Sequence, residues 1–234
     1  MQLLSKNKLG KYFIYAIGEI FLVVIGILIA LWINNWNNES IAKKEEEKSY
    51  LNIKQQVVDD RKEVVKVKDL NNYYYSIYDY ATKIIIAQDR TKVDSLALFA
   101  MGLSRYSDFN RNGKIYETLV NSGELQLLEN TDITSAIQQL ETTYIYVNKL
   151  EDMHWELIMT ELSPELKGVI NYANLQTLQP EKLYSIELQN IFFEIMGLCK
   201  MKDTDYGAAL NDIDTIVGFI DKELNSSGFE QLNQ

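Results

Sequence analysis

The sequence predicts an all-α protein: one N-terminal transmembrane helix, a long membrane-proximal helix and an antiparallel helical bundle. Three observations carry this. Two prolines and 11 glycines in 234 residues are too few for a sandwich or barrel, whose strands are punctuated every ~8–12 residues. No glycine or proline occurs from Ile27 to Met101. Apolar residues recur in steps of three and four through most of the remaining chain, which is the helical period. An apolar fraction of 47% argues against wholesale disorder.

The first element is the apolar run Phe13–Ile33, whose single charged residue is Glu19. Placed on a helix it spans ~31 Å, close to the hydrocarbon thickness of a bilayer. Tyr12 and Tyr15 at one end and Trp32 and Trp36 at the other suit the two headgroup belts. A cleaved signal peptide would have a shorter core and a small-x-small site; this run ends in LWINNWNN. Residues 12–34 are therefore expected to be an uncleaved signal anchor. Lys6, Lys8 and Lys11 precede it without an acid, while Lys43, Lys44 and Lys48 lie further from its other end. That bias predicts a short cytoplasmic tail (residues 1–11) and a periplasmic C-terminal domain.

Glu19 stands ~9 Å inside the run by helical rise, where an ionisable residue is a functional candidate by default. Ala16, Glu19, Val23, Gly26 and Ala30 share one helical face, with Gly18 beside it. Small residues permit close backbone approach, and a polar group there can hydrogen-bond across helices. This face is the expected interaction surface within the membrane.

Residues 35–40 form a membrane-exit junction containing Asn35, Asn37 and Asn38. The stripe beyond it is one position out of phase with the membrane stripe, which predicts a bend or register break near 34–40. A helical bundle then occupies 41–225. Its first helix carries Tyr50, Ile53, Val57, Val64, Val67, Tyr74, Tyr78, Ala81 and Ile85 on one stripe, with Asp60 and Asn71 as polar seam positions. Such a stripe fits a parallel coiled coil between protomers or a bundle within one chain; Val58 and Val65 widen it and favour the latter. Five tyrosines crowd residues 73–80. Tyr74 and Tyr78 fit the core, leaving Tyr73, Tyr75 and Tyr80 as a possible contact surface.

Further on, Asp94 is placed to cap a short helix and 107–113 reads as a loop. IYETLVNSG ends a helix at Gly123. Thr131 or Asp132 opens a helix of about thirty residues, striped by Ile133, Ile137, Leu140, Tyr144, Val147, Leu150 and Ile158. Ser163-Pro164-Glu165 starts another with proline in the first turn. Pro180-Glu181 opens one that runs to about Cys199, and Asp203 or Thr204 opens the last. Residues 226–234 read as a loose tail.

A net charge of −10 argues against nucleic acid as a partner. One cysteine excludes an internal disulfide or a multi-cysteine metal site. His154 in HWE has no second histidine at the metalloprotease spacing and reads as a helix-surface or boundary residue. NRNGK (110–114) lacks the full phosphate-loop pattern, and Ser5-x-x-Lys8 has no companion motifs. Acidic pairs such as Asp59/Asp60 read as solvated helix faces. No catalytic, cofactor or metal residues are expected, and no enzyme.

KYFIYAIGEIFLVVIGILIALWINNWNNE and IYETLVNSGELQLLENTDITSAIQQLETTY resemble, in that order, two segments of an uncharacterised family of single-pass membrane proteins from Bacteroidetes-type bacteria. The resemblance implies a Gram-negative inner membrane and a helical periplasmic domain, with no activity to carry over. Glu19 matches the membrane glutamate of the family pattern, and Tyr116, Glu117 and Gly123 match its second motif. Asn121-Ser122 replaces the usual serine pair.

The expected role is a non-enzymatic membrane-anchored scaffold or accessory subunit. Its partners are the lipid bilayer and either further copies of itself or another membrane protein. Two alternatives remain open at this stage: a periplasmic ligand-sensing module signalling through a partner, and an ion-coupled subunit using Glu19.

Overall fold

The computed structural model describes residues 6–109 and 115–226. Of the tail expected at 226–234, Ser226 ends a helix and the rest lies outside the described residues, as do residues 1–5 and part of the 107–113 loop. The all-α class holds. The chain divides into two units, residues 1–49 and 50–234.

The first unit is the N-terminal part of helix α1 (Lys6–Ile86). It is long and apolar enough to cross a membrane, and its apolar window is wholly unburied. Residues 34–40 are helical, so the expected register break does not interrupt the helix. Four asparagines lower helix propensity by only a few tenths of a kcal/mol each, and the good helix formers on either side carry the hydrogen bonding through them.

The second unit begins at Tyr50. It holds the rest of α1, α2 (Val93–Gly102), α3 (Ile115–Ser122), α4 (Thr131–Leu157), α5 (Ser163–Leu166) and α6 (Ile186–Ser226). A two-stranded hairpin, β1 (Ile170–Asn171) with β2 (Gln176–Thr177), joins α5 towards α6. Asn130 rather than Thr131 or Asp132 caps α4, its side chain accepting from the backbone N–H of Asp132 and Ile133. Asp94 falls inside the first turn of α2, and Lys92 at the N-cap position before it makes no side-chain cap. Gly123 takes the left-handed conformation at φ 78° that ends α3 and turns the chain.

Two sequence expectations change here. Pro180–Tyr184 is only a 3₁₀ turn, and the two helices expected at 180–199 and 203–225 are one continuous α6. A single π-helical turn, Ile158–Leu162, lies between α4 and α5.

The stripe of α1 is buried in its own chain, which selects the intrachain reading. Tyr50, Ile53, Val57, Val64 and Val67 enter one core with α3, the first five turns of α4 and the C-terminal half of α6. Tyr78, Ala81 and Ile85 enter a second, with α2, the π turn and the N-terminal half of α6. The order of these contacts shows that α1 and α4 run the same way and α6 returns against both.

Candidate functional site

Between the two apolar cores lies a polar layer. Going up α1, the first core ends at Val67 and the second begins at Tyr78, with Asn71 buried between them. On α4 the gap from Val147 to Ile158 holds buried Glu151 and His154. On α6 the gap from Cys199 to Tyr206 holds buried Lys202. The fourth contributor is the connection after α2, which brings buried Ser107 into the same layer.

These side chains close the hydrogen bonds of a buried connection, whose backbone groups would otherwise be left without partners. Tyr78 Oη donates to the Leu103 carbonyl at 2.8 Å. Lys202 Nζ donates to the Ser107 carbonyl at 3.4 Å and to its Oγ at 2.8 Å. The Phe109 N–H donates to Glu151 Oε1 at 2.9 Å, and Tyr206 Oη donates to the same oxygen. Ser107 Oγ lies 3.2 Å from Tyr206 Oη and 3.4 Å from Asn71 Oδ1. Asn71 Nδ2 in turn donates to the Cys199 carbonyl at 2.8 Å. Helices α1, α4 and α6 thus all hold one loop.

Burial sets the electrostatics. It pushes the Glu151 carboxyl up to about 7, against the pull of Tyr206, the Phe109 N–H and Lys202. It brings Lys202 down to about 8, opposed by Cys199, Glu151 and Asp108. Both groups therefore change charge near neutrality. His154 falls to about 3 through burial and the neighbouring ammonium and stays neutral. Its Nδ1 is 3.0 Å from Lys202 Nζ; a charged lysine has no acceptor, so Nδ1 accepts and the proton sits on Nε2. That Nε2 is buried without a partner among the described residues. The Cys199 thiol is raised by burial to about 11, the behaviour of a core cysteine. Ser107 Oγ and Lys202 Nζ stand at the separation of a hydroxyl and its base, but both residues are 0% exposed, so no substrate reaches them in this conformation. What the arrangement does is pin the loop and place titratable charge between two apolar cores.

The residues singled out in the sequence lie elsewhere. Ala16, Glu19 and Val23 line a shallow hollow of about 290 Å³ on α1 with Ile20 and Val24. Gly18 and Gly26 have open space where a Cβ would stand, and Ala30 is exposed. Tyr116 is half-buried against the lower core and accepts from Gln138 Nε2 at 2.7 Å; Glu117 is exposed. Tyr73 and Tyr80 are exposed, but Tyr80 packs edge-on to Phe99 and takes a hydrogen bond from Lys92. Tyr75 is half-buried, with Lys200 Nζ 5.5 Å from its ring centroid. The three tyrosines therefore have separate neighbours.

Two surface assignments are corrected. His154 is fully buried, and Asp60 is buried, where it accepts from Tyr144 Oη at 3.2 Å. Glu151 and Lys202 were missed, although their positions carry a signal. Steps of four, three and four from Val147 reach Glu151, His154 and Ile158, and steps of three and four from Cys199 reach Lys202 and Tyr206. Charge inside an apolar stripe marks a buried polar group. Breaking α6 at residue 200 hid half of that pattern.

Fold and site together define a helical domain with an internal polar layer, preceded by an apolar helix of membrane length. The chain belongs to a family of unknown function, DUF6090, whose model matches residues 19–186. That match contains Glu19, Tyr116, Glu117, Gly123, Ser107, Glu151 and His154, and ends before Lys202. Neither the curated proteins nor the solved structures contain a match to it.

Proposed function

We propose that this is a non-enzymatic, membrane-anchored scaffold or accessory subunit that works by association through the first part of α1. The observation that carries the reading is the exposure of residues 12–33 on every side of the helix, with Glu19 their one ionisable group. A helix that is apolar all round belongs in a protein interior or a bilayer, and none of this segment is covered by the chain itself. A carboxyl in hydrocarbon needs a partner group, and the face shared by Ala16, Glu19, Val23, Gly26 and Ala30 supplies the close approach that lets a second helix provide one. The lysines before the span support a cytoplasmic N-terminus and a bundle on the far side of the membrane; the resemblance of the N-terminal segment supports a Gram-negative, Bacteroidetes-type inner membrane, which makes that side the periplasm.

Native mass spectrometry of the full chain, extracted gently from its membrane, tests this. The expected result is an integer multiple of 27.1 kDa or a defined complex with another membrane protein. The double substitution Glu19→Leu with Gly26→Ile is expected to release single copies. An assembly mass unchanged by that pair would end the proposal.

A further inference from the structure

A groove of about 770 Å³ runs between α4, the π turn and α5 on one bank and α6 on the other. Its lining includes the exposed Met153 and Met201, the half-buried Leu157 and the buried Ile191 and Leu198. Met153 and Met201 are 41% and 54% exposed, and exposed methionines are adaptable contact residues. Five carboxylates stand on its banks: Glu156, Glu161 and Glu165 on one side, Glu187 and Glu194 on the other. The lining contains no basic residue, and none of the five makes a salt bridge among the described residues. Like charges gathered around a groove repel one another, and a cationic partner would relieve that repulsion.

Gly197 is an independent feature of the same groove. It lies in the middle of α6, where glycine costs about 0.5–1 kcal/mol relative to alanine. A Cβ at this position would meet nothing within 4 Å. Packing inside the chain therefore does not require the missing side chain, and its absence from the groove wall leaves room for another backbone to approach closely.

We infer that this groove docks a cationic amphipathic helix of a partner protein, its apolar stripe on the methionine–leucine floor and its lysines or arginines against the five glutamates. The dimensions support a helix over a compact small molecule. From Glu187 to Met201 the bank is ~21 Å long, the length of about four turns. Helix-in-groove recognition uses apolar anchors spaced by three and four residues, and opposite charge on both banks fixes which helix binds and speeds its arrival. The groove lies wholly within residues 153–201, so this inference goes beyond the membrane-face reading and does not depend on it.

The test uses the full chain in a non-ionic detergent and a fluorescent peptide of about fourteen residues, with leucine at every third or fourth position and lysine elsewhere. One-to-one binding is expected in fluorescence anisotropy. Gly197→Leu fills the groove without changing charge and is expected to weaken binding about tenfold or more. Gly218→Leu, equally open on the same helix, is the control and should leave it unchanged. Replacing Glu156, Glu161, Glu187 and Glu194 by glutamine should weaken binding far more than neutralising the exposed Glu39, Glu45, Asp69 and Asp132. Equal loss in the two charge variants, or full binding to Gly197→Leu, would overturn the inference. So would spermine binding that Gly197→Leu blocks in a protein that ignores the peptide, since the site would then take a small polyamine. Glu19→Leu is expected to bind the peptide like the parent chain, which separates this result from that of the anchor.

Discussion

Helix α1 contains two regions of one secondary structure with different surroundings. Over residues 12–33 every position is exposed and nearly every side chain is apolar. Over residues 50–85 most apolar residues keep to a stripe that is buried in the chain's own cores, while Leu51, Val65 and Leu70 stand off it and are exposed. The backbone is the same, so the difference lies in what each face meets. A uniform apolar surface has no preferred side and calls for an apolar solvent; a stripe calls for a neighbour. The same contrast separates two glutamates. Glu151 finds Tyr206 and the Phe109 N–H within the fold, whereas Glu19 is on an unburied helix that, in the proposed function, meets a second helix.

The contrast can be broken most forcefully by truncation. Ile53→Ala, in the buried stripe, should destabilise the bundle by about 2–5 kcal/mol, while Leu22→Ala should leave its thermal midpoint in detergent unchanged. Equal effects would mean that the first part of α1 is also packed in the domain.

The polar layer gives the next largest effect, through pH. The Glu151 carboxyl is higher in the folded chain, about 7 against an ordinary 4.5. Its stabilising contribution is therefore complete below about pH 4.5 and is lost as pH rises through about 7. Across that window the protonated fold loses a few kcal/mol relative to the unfolded chain. Glu151→Gln should remove this loss, so the variant gains on the parent chain in urea titrations between these pH values. A constant difference between the two would show that the carboxyl is solvated.

Lys202→Met retains much of the buried stem but removes the donor to the Ser107 carbonyl and Oγ. It should cost about 1–3 kcal/mol and speed hydrogen exchange in residues 103–109. Destabilisation without faster exchange in that loop would leave Lys202 as a packing residue alone. The smallest effect is expected at the half-exposed surface pair Lys54–Asp221, where Asp221→Ala should change stability by at most ~1 kcal/mol.

Periodicity alone placed most of the helices, because apolar spacing reports which face of a helix meets its neighbours. The α1 and α4 stripes are legible almost residue by residue: six marked positions are buried in α4 and the seventh, Ile158, in the π turn after it, while on α1 only Tyr74 is half-buried. Gly123 was readable because few residues other than glycine turn easily through positive φ. The 3₁₀ turn at Pro180 and the continuous α6 were not readable. Proline marks where a helix can begin without deciding that it continues, and Asp203-Thr204 is a start signal that a well-packed helix overrides.

By itself, then, the sequence determined the helical class and the membrane-length run with Glu19 inside it, while the packing of the long helix within its own chain was settled by the buried cores. The first two are local patterns, set by the solvent preference of residues close together in the chain. The parallel course of α1 and α4, the joining of Asn71, Ser107, Glu151 and Lys202 in one layer and the acidic groove were decided only by tertiary structure. Those features bring together residues as much as 131 positions apart. Such distant pairing is fixed by which apolar faces bury one another and by which buried polar groups then find partners, and no local spacing encodes it.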